Sequence, residues 1–173
     1  MNDEAKHKLL VAWISREITE DQFINQYKAL TNQSIIDDKY CLQLINLASN
    51  EKDDEKLEEA FILGFTIDCF SKDFSQIFCK LLQEDWHYKH EDIARVLQSL
   101  KDPSTVDCLY TAAELQFDYL DYDDTCQFAR KCSKALSDID NATAISKLQL
   151  LAQSNFSEIK QYAIKELKYK GLL

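Results

Sequence analysis

One short stretch of the chain holds residues whose types and spacing suggest metal chemistry, namely His87, His90 and Glu91. Histidine nitrogens and carboxylate oxygens are common ligands of metal ions. The third histidine, His7, lies far away in the sequence, so carboxylates alone would have to complete a metal site. We favour a structural interpretation, in which His87 packs a junction together with Trp86. His90 and Glu91 then begin a helix, and we predict no metal ligands.

Other catalytic arrangements are poorly supported by the sequence. A nucleophilic cysteine or serine needs a base within hydrogen-bond reach, and the chain has 3 histidines, of which His87 and His90 share one turn. A glycine-rich phosphate loop is excluded because the 2 glycines are Gly64 and Gly171. We therefore predict that the protein is not an enzyme, has no catalytic residues and binds no cofactor.

The strongest candidate for function is the segment 102–129, which we call the acidic segment. It carries seven carboxylates and no lysine or arginine. Aromatic residues alternate with the carboxylates in its second half, a combination typical of protein-binding surfaces that attract a cationic partner. The predicted partner-binding residues are Glu114, Phe117, Asp118, Tyr119, Asp121, Tyr122, Asp123 and Asp124.

The acidic segment also has structural interpretations. Tyr119, Leu120 and Tyr122 could fold a loop onto the core, with the aspartates keeping the loop solvated. Asp121 and Asp123 could cap the helix that follows. Cation binding by the carboxylates is a third alternative. The sequence leaves these alternatives open.

The first part of the acidic segment belongs to a pair of predicted helices that spans residues 90–114. Asp102 stands at an N-cap position between the two helices, and Pro103 takes the first helical position of the second. The apolar pattern returns 39 residues later, where Asn141 replaces Asp102. The matched residues are Leu97 and Leu136, Leu100 and Ile139, Val106 and Ile145, Leu109 and Leu148, and Ala113 and Ala152. A two-helix unit that repeats at this length is typical of an α-solenoid.

Apolar periodicity predicts helices along the rest of the chain as well. Their approximate ranges are 3–17, a helix opened by a capping box at Thr19, 37–50, 54–71, 74–84, 123–138, a helix capped by Asn141, and 156–169. About ten helices result, and no linker divides them, so we predict a single domain over residues 1–173. Gly64 predicts a close approach of another helix, because glycine otherwise costs about 1 kcal/mol inside a helix.

Composition agrees with an all-α fold and restricts the partners. Glycine and proline, at 2 and 1 residues, are too scarce for the turns of a β-protein. The formal charge of −10 argues against binding of nucleic acid and is compatible with a basic protein partner.

The six cysteines and the apolar runs bear on the compartment. No two cysteines have CxxC spacing, the N-terminus lacks the pattern of a signal peptide, and no stretch is long enough to span a membrane. We therefore predict a cytoplasmic protein with reduced thiols, which does not bind membranes and is a monomer when alone.

Two segments resemble a known family: residues 100–109, LKDPSTVDCL, and residues 135–148, ALSDIDNATAISKL. Their shared pattern is an alanine–leucine helix, a short Asp/Asn–Pro/Ala turn, and a helix that begins with Val or Ile. Over residues 86–167 this pattern resembles bacterial HEAT-like repeat proteins. The resemblance implies a right-handed α-solenoid of about five antiparallel helix pairs. No Asp–Pro turn is present in residues 1–85, where the pattern departs from the family.

Residues 86–92, 118–123 and 129–132 resemble, more specifically, a group of small bacterial HEAT-repeat proteins. Some small HEAT-like proteins of this kind accompany polymorphic or contact-dependent toxins as immunity proteins. The resemblance implies an immunity protein that neutralises a cognate basic toxin, of nuclease type, by occluding its active site. The alternatives are a scaffold or regulatory HEAT-repeat adaptor in a larger assembly, and a metal-dependent HEAT-like enzyme. HEAT-repeat hydroxylases use several His–Glu pairs, whereas this chain has only His90–Glu91.

Overall fold

The computed structural model of the protein describes residues 2–120 and 126–173. Within these ranges the chain forms ten α-helices and no β-strand, which confirms the predicted all-α class. None of these helices is long and apolar enough to cross a lipid bilayer. The helices are α1 (Asn2–Ile14), α2 (Glu20–Thr31), α3 (Asp38–Glu51), α4 (Asp54–Thr66), α5 (Ser75–Leu81), α6 (His90–Leu100), α7 (Val106–Ala113), α8 (Gln127–Ile139), α9 (Ala142–Leu151) and α10 (Ser157–Tyr169). Short 3₁₀ turns lie at Lys72–Phe74, Pro103–Thr105 and Asp118–Leu120.

Single side chains set several helix starts, as the sequence predicted. Thr19 and Gln22 form a reciprocal capping box at α2, in which the Thr19 N–H donates to Gln22 Oε1 at 2.9 Å. Asn141 accepts a backbone N–H at the start of α9. Asp102 caps the 3₁₀ turn that begins with Pro103 and leads into α7. These side chains satisfy N–H groups that helix ends otherwise leave unpaired.

A tight turn recurs in the backbone at the spacing of the sequence pattern. Lys101, the residue directly after α6, adopts a left-handed conformation with φ 48°, and Asp140, 39 positions later and directly after α8, adopts φ 54°. Each left-handed residue is followed at once by an N-cap residue, Asp102 in the first turn and Asn141 in the second. The backbone therefore reproduces the 39-residue repeat at its helix ends.

The same turn joins α3 to α4, where the sequence showed no Asp–Pro pair. Lys52, directly after α3, adopts φ 53°, and Asp53 caps α4 by accepting a hydrogen bond from the Lys56 N–H at 3.0 Å. The turn needs a left-handed residue and an N-cap side chain, and proline is not required.

The helix predicted for residues 54–71 ends earlier than expected, at Thr66. Asp68 adopts φ 50° just beyond it. The ring of Phe70 occupies the space that a Cβ atom on Gly64 would need. The predicted close approach of another helix at Gly64 is therefore wrong, because its neighbour is a side chain from the segment that follows α4.

By their contacts the helices form two compact units, residues up to Phe70 and residues from Ser71 onward. The prediction of a single domain over residues 1–173 stays a prediction. In the first unit α1 packs against α2, and α3 packs against α4. Its interior includes Phe23, Tyr27, Ile45 and Phe61.

A buried carboxylate lies within the first unit. Glu59 on α4 accepts a hydrogen bond from the Tyr27 hydroxyl and an ion-paired one from Lys6 Nζ at 3.0 Å. Trp13 Nε1 donates to Thr66 Oγ1 at 2.9 Å and thereby also links α1 to α4. Because a buried charge is costly without partners, these bonds fix how α1, α2 and α4 meet.

In the second unit, α8 is the central element and packs against α6, α7, α9 and α10. A disulfide joins Cys79 on α5 to Cys108 on α7, with 5.4 Å between their Cα atoms. The prediction that all cysteines are reduced is therefore wrong for this pair. The pairing was not predictable from the sequence because the two residues are 29 positions apart and only the fold brings them together.

Candidate functional site

Two buried histidines stand at the start of α6. The rings of His87 and His90 are stacked with 4.3 Å between their centroids, and neither ring is exposed to solvent. Trp86 meets the His87 ring edge-on at 4.9 Å. The predicted structural role is thus confirmed: His87 packs the junction and His90 begins the helix.

The hydrogen bonds of both rings fix their tautomers. His87 Nε2 donates to the Leu81 carbonyl at 2.9 Å, while Nδ1 accepts the Lys89 N–H at 3.1 Å. His90 Nε2 donates to the Glu84 carbonyl at 2.7 Å. Because a carbonyl can only accept and a backbone N–H can only donate, His87 is neutral with its proton on Nε2.

The environment of His90 also keeps its ring neutral. Burial, followed by the proximity of His87, lowers the pKa of His90 from 6.5 to about 4. Its unprotonated Nδ1 therefore accepts a hydrogen bond from the Tyr119 hydroxyl, with 2.8 Å between the two atoms. This bond ties the 3₁₀ turn at Asp118–Leu120 to the start of α6, across 29 residues of sequence.

Around His90 the structure gathers an aromatic cluster, which we define as Tyr88, His90, Phe117, Tyr119 and Phe128. Phe117 lies on His90 with 3.8 Å between ring centroids, and Phe128 meets His90 edge-on at 5.6 Å. Tyr88 stands edge-on to Tyr119 at 5.0 Å and is 64% exposed. The cluster therefore runs from the core, where Phe117 and Phe128 are buried, to a solvent-exposed tyrosine.

The carboxylates of the acidic segment divide into two groups. Asp102 is used as a helix cap, and Asp107 pairs with Lys147 Nζ at 2.8 Å. Glu114 and Asp118, in contrast, are exposed and form no ion pair within residues 2–120 and 126–173. Glu114 directly follows α7, and Asp118 begins the 3₁₀ turn that contains Tyr119. Asp118 therefore places an exposed carboxylate directly before Tyr119, the residue on which the exposed Tyr88 ring packs.

The structure places half of the eight predicted binding residues. Glu114 and Asp118 are exposed, Tyr119 is half-buried, and Phe117 is 9% exposed, which makes it a support for the cluster. The other four predicted residues, Asp121, Tyr122, Asp123 and Asp124, lie outside the described residues.

Tyr88 is the residue that the sequence-based prediction missed. It lies outside the acidic segment, yet its ring packs on Tyr119. The sequence shows a tyrosine between His87 and Lys89. It does not indicate whether the ring of this tyrosine is buried or exposed.

A cavity of about 210 Å³ lies beside the aromatic cluster. Its volume suits one large side chain and is smaller than the pockets that hold drug-sized ligands or cofactors, roughly 300–1,000 Å³. Glu91, which pairs with Lys131 Nζ at 2.9 Å, lies at this cavity. Its other lining residues include Leu115, Phe117, Leu120, Phe128 and Ile159.

Among residues 2–120 and 126–173, no group of three or more histidine, cysteine, aspartate or glutamate side chains is arranged to hold a metal ion. The ring nitrogens of His87 and His90 already form hydrogen bonds to protein atoms.

Comparison with known proteins returned no match to a family model, to a curated protein or to a solved structure.

Proposed function

We propose that the protein is a non-enzymatic protein-binding module that recognises a basic partner through Tyr88, Glu114, Asp118 and Tyr119. The observation that carries this proposal is the exposed Tyr88 ring, which packs on Tyr119 directly after the exposed carboxylate of Asp118. Tyrosine anchors are enriched in binding hot spots because they provide a large contact area at low cost in conformational entropy.

The hydrogen bond from Tyr119 to His90 supports the proposal, because it orients the platform on which Tyr88 packs. A preorganised surface loses less entropy on binding. The neighbouring cavity suits an apolar side chain of the partner, while Glu114 and Asp118 suit a lysine or arginine beside it. The net charge of −10 would raise the rate of encounter with a basic protein.

The most specific form of this proposal is an immunity protein that covers the active site of a cognate basic toxin of nuclease type. Its support is the resemblance to small HEAT-repeat proteins, together with the acidic surface. A right-handed solenoid of antiparallel helix pairs is part of the same proposal. The recurrence of the left-handed residue and N-cap at Lys101–Asp102 and Asp140–Asn141 supports such a repeat. Finding a toxin reading frame next to the gene would favour immunity over a scaffold or regulatory adaptor.

Affinity capture from the native host tests the binding surface. The wild-type protein is compared with Tyr88→Ala and with the double variant Glu114→Lys/Asp118→Lys. The control is Glu17→Lys/Asp73→Lys, which changes the net charge equally at two exposed positions elsewhere. We expect wild type and control to retain the same basic protein, and each site variant to bind it about 10- to 100-fold more weakly. Retention of no basic protein, or equal binding by all variants, would refute the proposal.

The cytoplasmic location stays a prediction, and the Cys79–Cys108 disulfide bears on it. Disulfides persist in oxidising compartments and are rare where glutathione and thioredoxin keep thiols reduced. Trapping the thiols of intact cells with an alkylating reagent, before lysis, reports whether this pair is oxidised in its native compartment. An alkylated pair favours the cytoplasm, whereas a protected pair favours an oxidising compartment.

A further inference from the structure

The Cys79–Cys108 disulfide joins the two helices whose following segments enter the aromatic cluster. Cys79 lies on α5, and the turn after α5 provides the Glu84 carbonyl to which His90 Nε2 donates at 2.7 Å. Cys108 lies on α7, and the chain after α7 contains Tyr119, whose hydroxyl donates to His90 Nδ1 at 2.8 Å. The disulfide and the His90 ring therefore link the same two segments, one by a covalent bond and the other by hydrogen bonds.

Hydrogen-bonded turns connect each cysteine to the cluster. The carbonyl of Leu81, the last residue of α5, accepts a hydrogen bond from His87 Nε2 at 2.9 Å. Beyond α7, the Leu115 N–H donates to the Ala112 carbonyl at 3.1 Å, so the chain leaves the helix in a turn. A covalent link keeps the groups on either side of it at a high effective concentration. The disulfide therefore favours the hydrogen bonds that His90 makes to both segments.

The length of α5 makes the disulfide an important restraint. This helix has 7 residues, and a helix so short is unstable by itself and relies on its packing. In contrast, α7 packs against α8, which has 13 residues. Phe78 and Leu81 of α5 are fully buried, so α5 keeps its place in the core without the disulfide but loses one restraint. We therefore expect reduction to loosen the segment from α5 to His90 without unfolding the second unit.

Both cysteines of the disulfide are partly exposed to solvent. In thiol–disulfide exchange a thiolate must reach one of the two sulfur atoms, so access decides whether a dissolved reductant can react. The disulfide therefore combines access to solvent with attachment to the cluster.

We propose that the Cys79–Cys108 disulfide is a redox switch of the proposed binding surface and is opened by a dithiol reductant. One thiolate of the reductant attacks a sulfur of the disulfide, the bond between the two cysteine sulfurs breaks, and the released cysteine thiolate takes up a proton. The second thiol of the reductant loses its proton and attacks the mixed disulfide, which releases the other cysteine as a thiol. The two cysteines gain two electrons and two protons in total, and the reductant becomes a cyclic disulfide.

The disulfide form is the one that holds the surface in place. It keeps the two segments together, and His90 bonds to both of them. In the dithiol form Tyr119 is held less firmly, and the Tyr88 ring loses the fixed platform on which it packs. A surface that must become ordered on binding loses more entropy and binds more weakly. This effect on binding rests on the proposed function, whereas the loosening of the cluster does not.

Nuclear magnetic resonance of the folded, full-length protein tests the switch without a partner. The protein is oxidised in air or kept in excess dithiothreitol, and alkylation followed by mass analysis confirms the state of the pair. In the oxidised protein we expect backbone order parameters of about 0.85 in residues 83–90 and 115–120, with a fall toward about 0.6 after reduction. Helix α8, and α3 of the first unit, should keep values near 0.85 in both states.

Three results overturn the proposal: a pair that air does not oxidise in the folded protein, order parameters that reduction leaves unchanged in both segments, and a general loss of order that includes α8. The double variant Cys79→Ala/Cys108→Ala should have the reduced values with and without dithiothreitol. Cys69→Ala, the matched control at a partly exposed cysteine of the first unit, should respond as the wild type does. The reduced wild type decides the matter even where the double variant does not fold.

Affinity capture measures the consequence for binding. Oxidised wild-type bait is compared with the double variant in one buffer without reductant, so that any partner is in the same state in both. We expect the double variant to retain about 10-fold less of the basic protein. Equal retention overturns the regulation of binding. Retention of no basic protein by either bait refutes the proposed function, and the order parameters then still decide whether the disulfide controls the cluster.

Discussion

At the scale of single residues, the aromatic cluster depends on His90 staying neutral. A neutral ring can accept a hydrogen bond from the Tyr119 hydroxyl at Nδ1 and pack against Phe117, with 3.8 Å between the ring centroids. A protonated ring would carry a charge into an environment that is not exposed to solvent and lies next to His87. Burial of this charge is unfavourable, so the cluster and the pH dependence of stability are linked.

We predict that the protein loses stability as the pH falls from about 6.5 to about 4 because of His90. Its pKa is about 4 in the folded protein and close to the ordinary histidine value of 6.5 when unfolded. As the pH falls, the unfolded state therefore takes up the His90 proton before the folded state does. The contribution of His90 to the free energy of unfolding is fully present above pH 6.5 and is lost as the pH falls toward 4. The loss amounts to about 3 kcal/mol. Urea unfolding at a series of pH values measures it.

His90→Gln provides the comparison, because a glutamine side chain can hydrogen-bond but does not titrate. The difference in unfolding free energy between wild type and His90→Gln should change with pH over this range. His7→Gln, at an exposed position, serves as the control and should follow the wild-type curve. Parallel curves for wild type and His90→Gln would contradict the prediction.

At the scale of secondary-structure elements, the recurring turn combines two requirements. One residue must adopt a left-handed conformation, and the next must cap the following helix with its side chain. Asp102 and Asn141 are suited to the second requirement. Lys101, with φ 48°, meets the first only at a cost, because a Cβ atom is unfavourable in the left-handed region.

We predict that Lys101→Gly stabilises the protein by about 0.5–1 kcal/mol, because glycine adopts the left-handed conformation without this penalty. Its greater freedom in the unfolded chain removes part of the gain. Thermal or urea unfolding measures the change. Lys101→Ala is the matched control and should bring no stabilisation, because alanine keeps the Cβ atom. Equal stability of the glycine and alanine variants would show that the backbone conformation is not the cause.

Helix positions were predictable from the sequence because their signals are local. Capping by Thr19, Asp102 and Asn141 depends on residues within one turn, and each was identified correctly. The end of α4 was misplaced because apolar residues continue beyond Thr66 and the periodicity does not show where the chain leaves the helix. Gly64 was misinterpreted because a sequence does not show whether a helix or a ring such as Phe70 occupies the space beside a glycine.

The candidate site was less predictable because its contacts join distant positions. The composition of the acidic segment indicated where exposed carboxylates lie, as at Glu114 and Asp118. It did not indicate that Tyr119 bonds to His90 or that Tyr88 completes the surface. The Cys79–Cys108 pairing was hidden for the same reason, since the two cysteines are 29 positions apart in the sequence and meet only through packing.

At the scale of the whole molecule, a covalent link contributes to the stability of the second unit. The disulfide between Cys79 and Cys108 closes a loop with a sequence separation of 29 residues and connects α5 to α7. A link of this length restricts the unfolded chain, by about 3–4 kcal/mol in the loop-entropy model. The non-covalent packing of α8 against its neighbours, in contrast, does not depend on the redox state.

We therefore predict that a reductant lowers the free energy of unfolding by about 3 kcal/mol and weakens the hydrogen-exchange protection of α5 and α7. The double variant Cys79→Ala/Cys108→Ala should have the stability of the reduced wild type, and a reductant should not change it further. Alkylation after reduction confirms that this pair has opened, and Cys132, fully buried in α8, should remain protected while the protein is folded. An oxidised wild type no more stable than the double variant would show that native-state strain offsets the entropic gain.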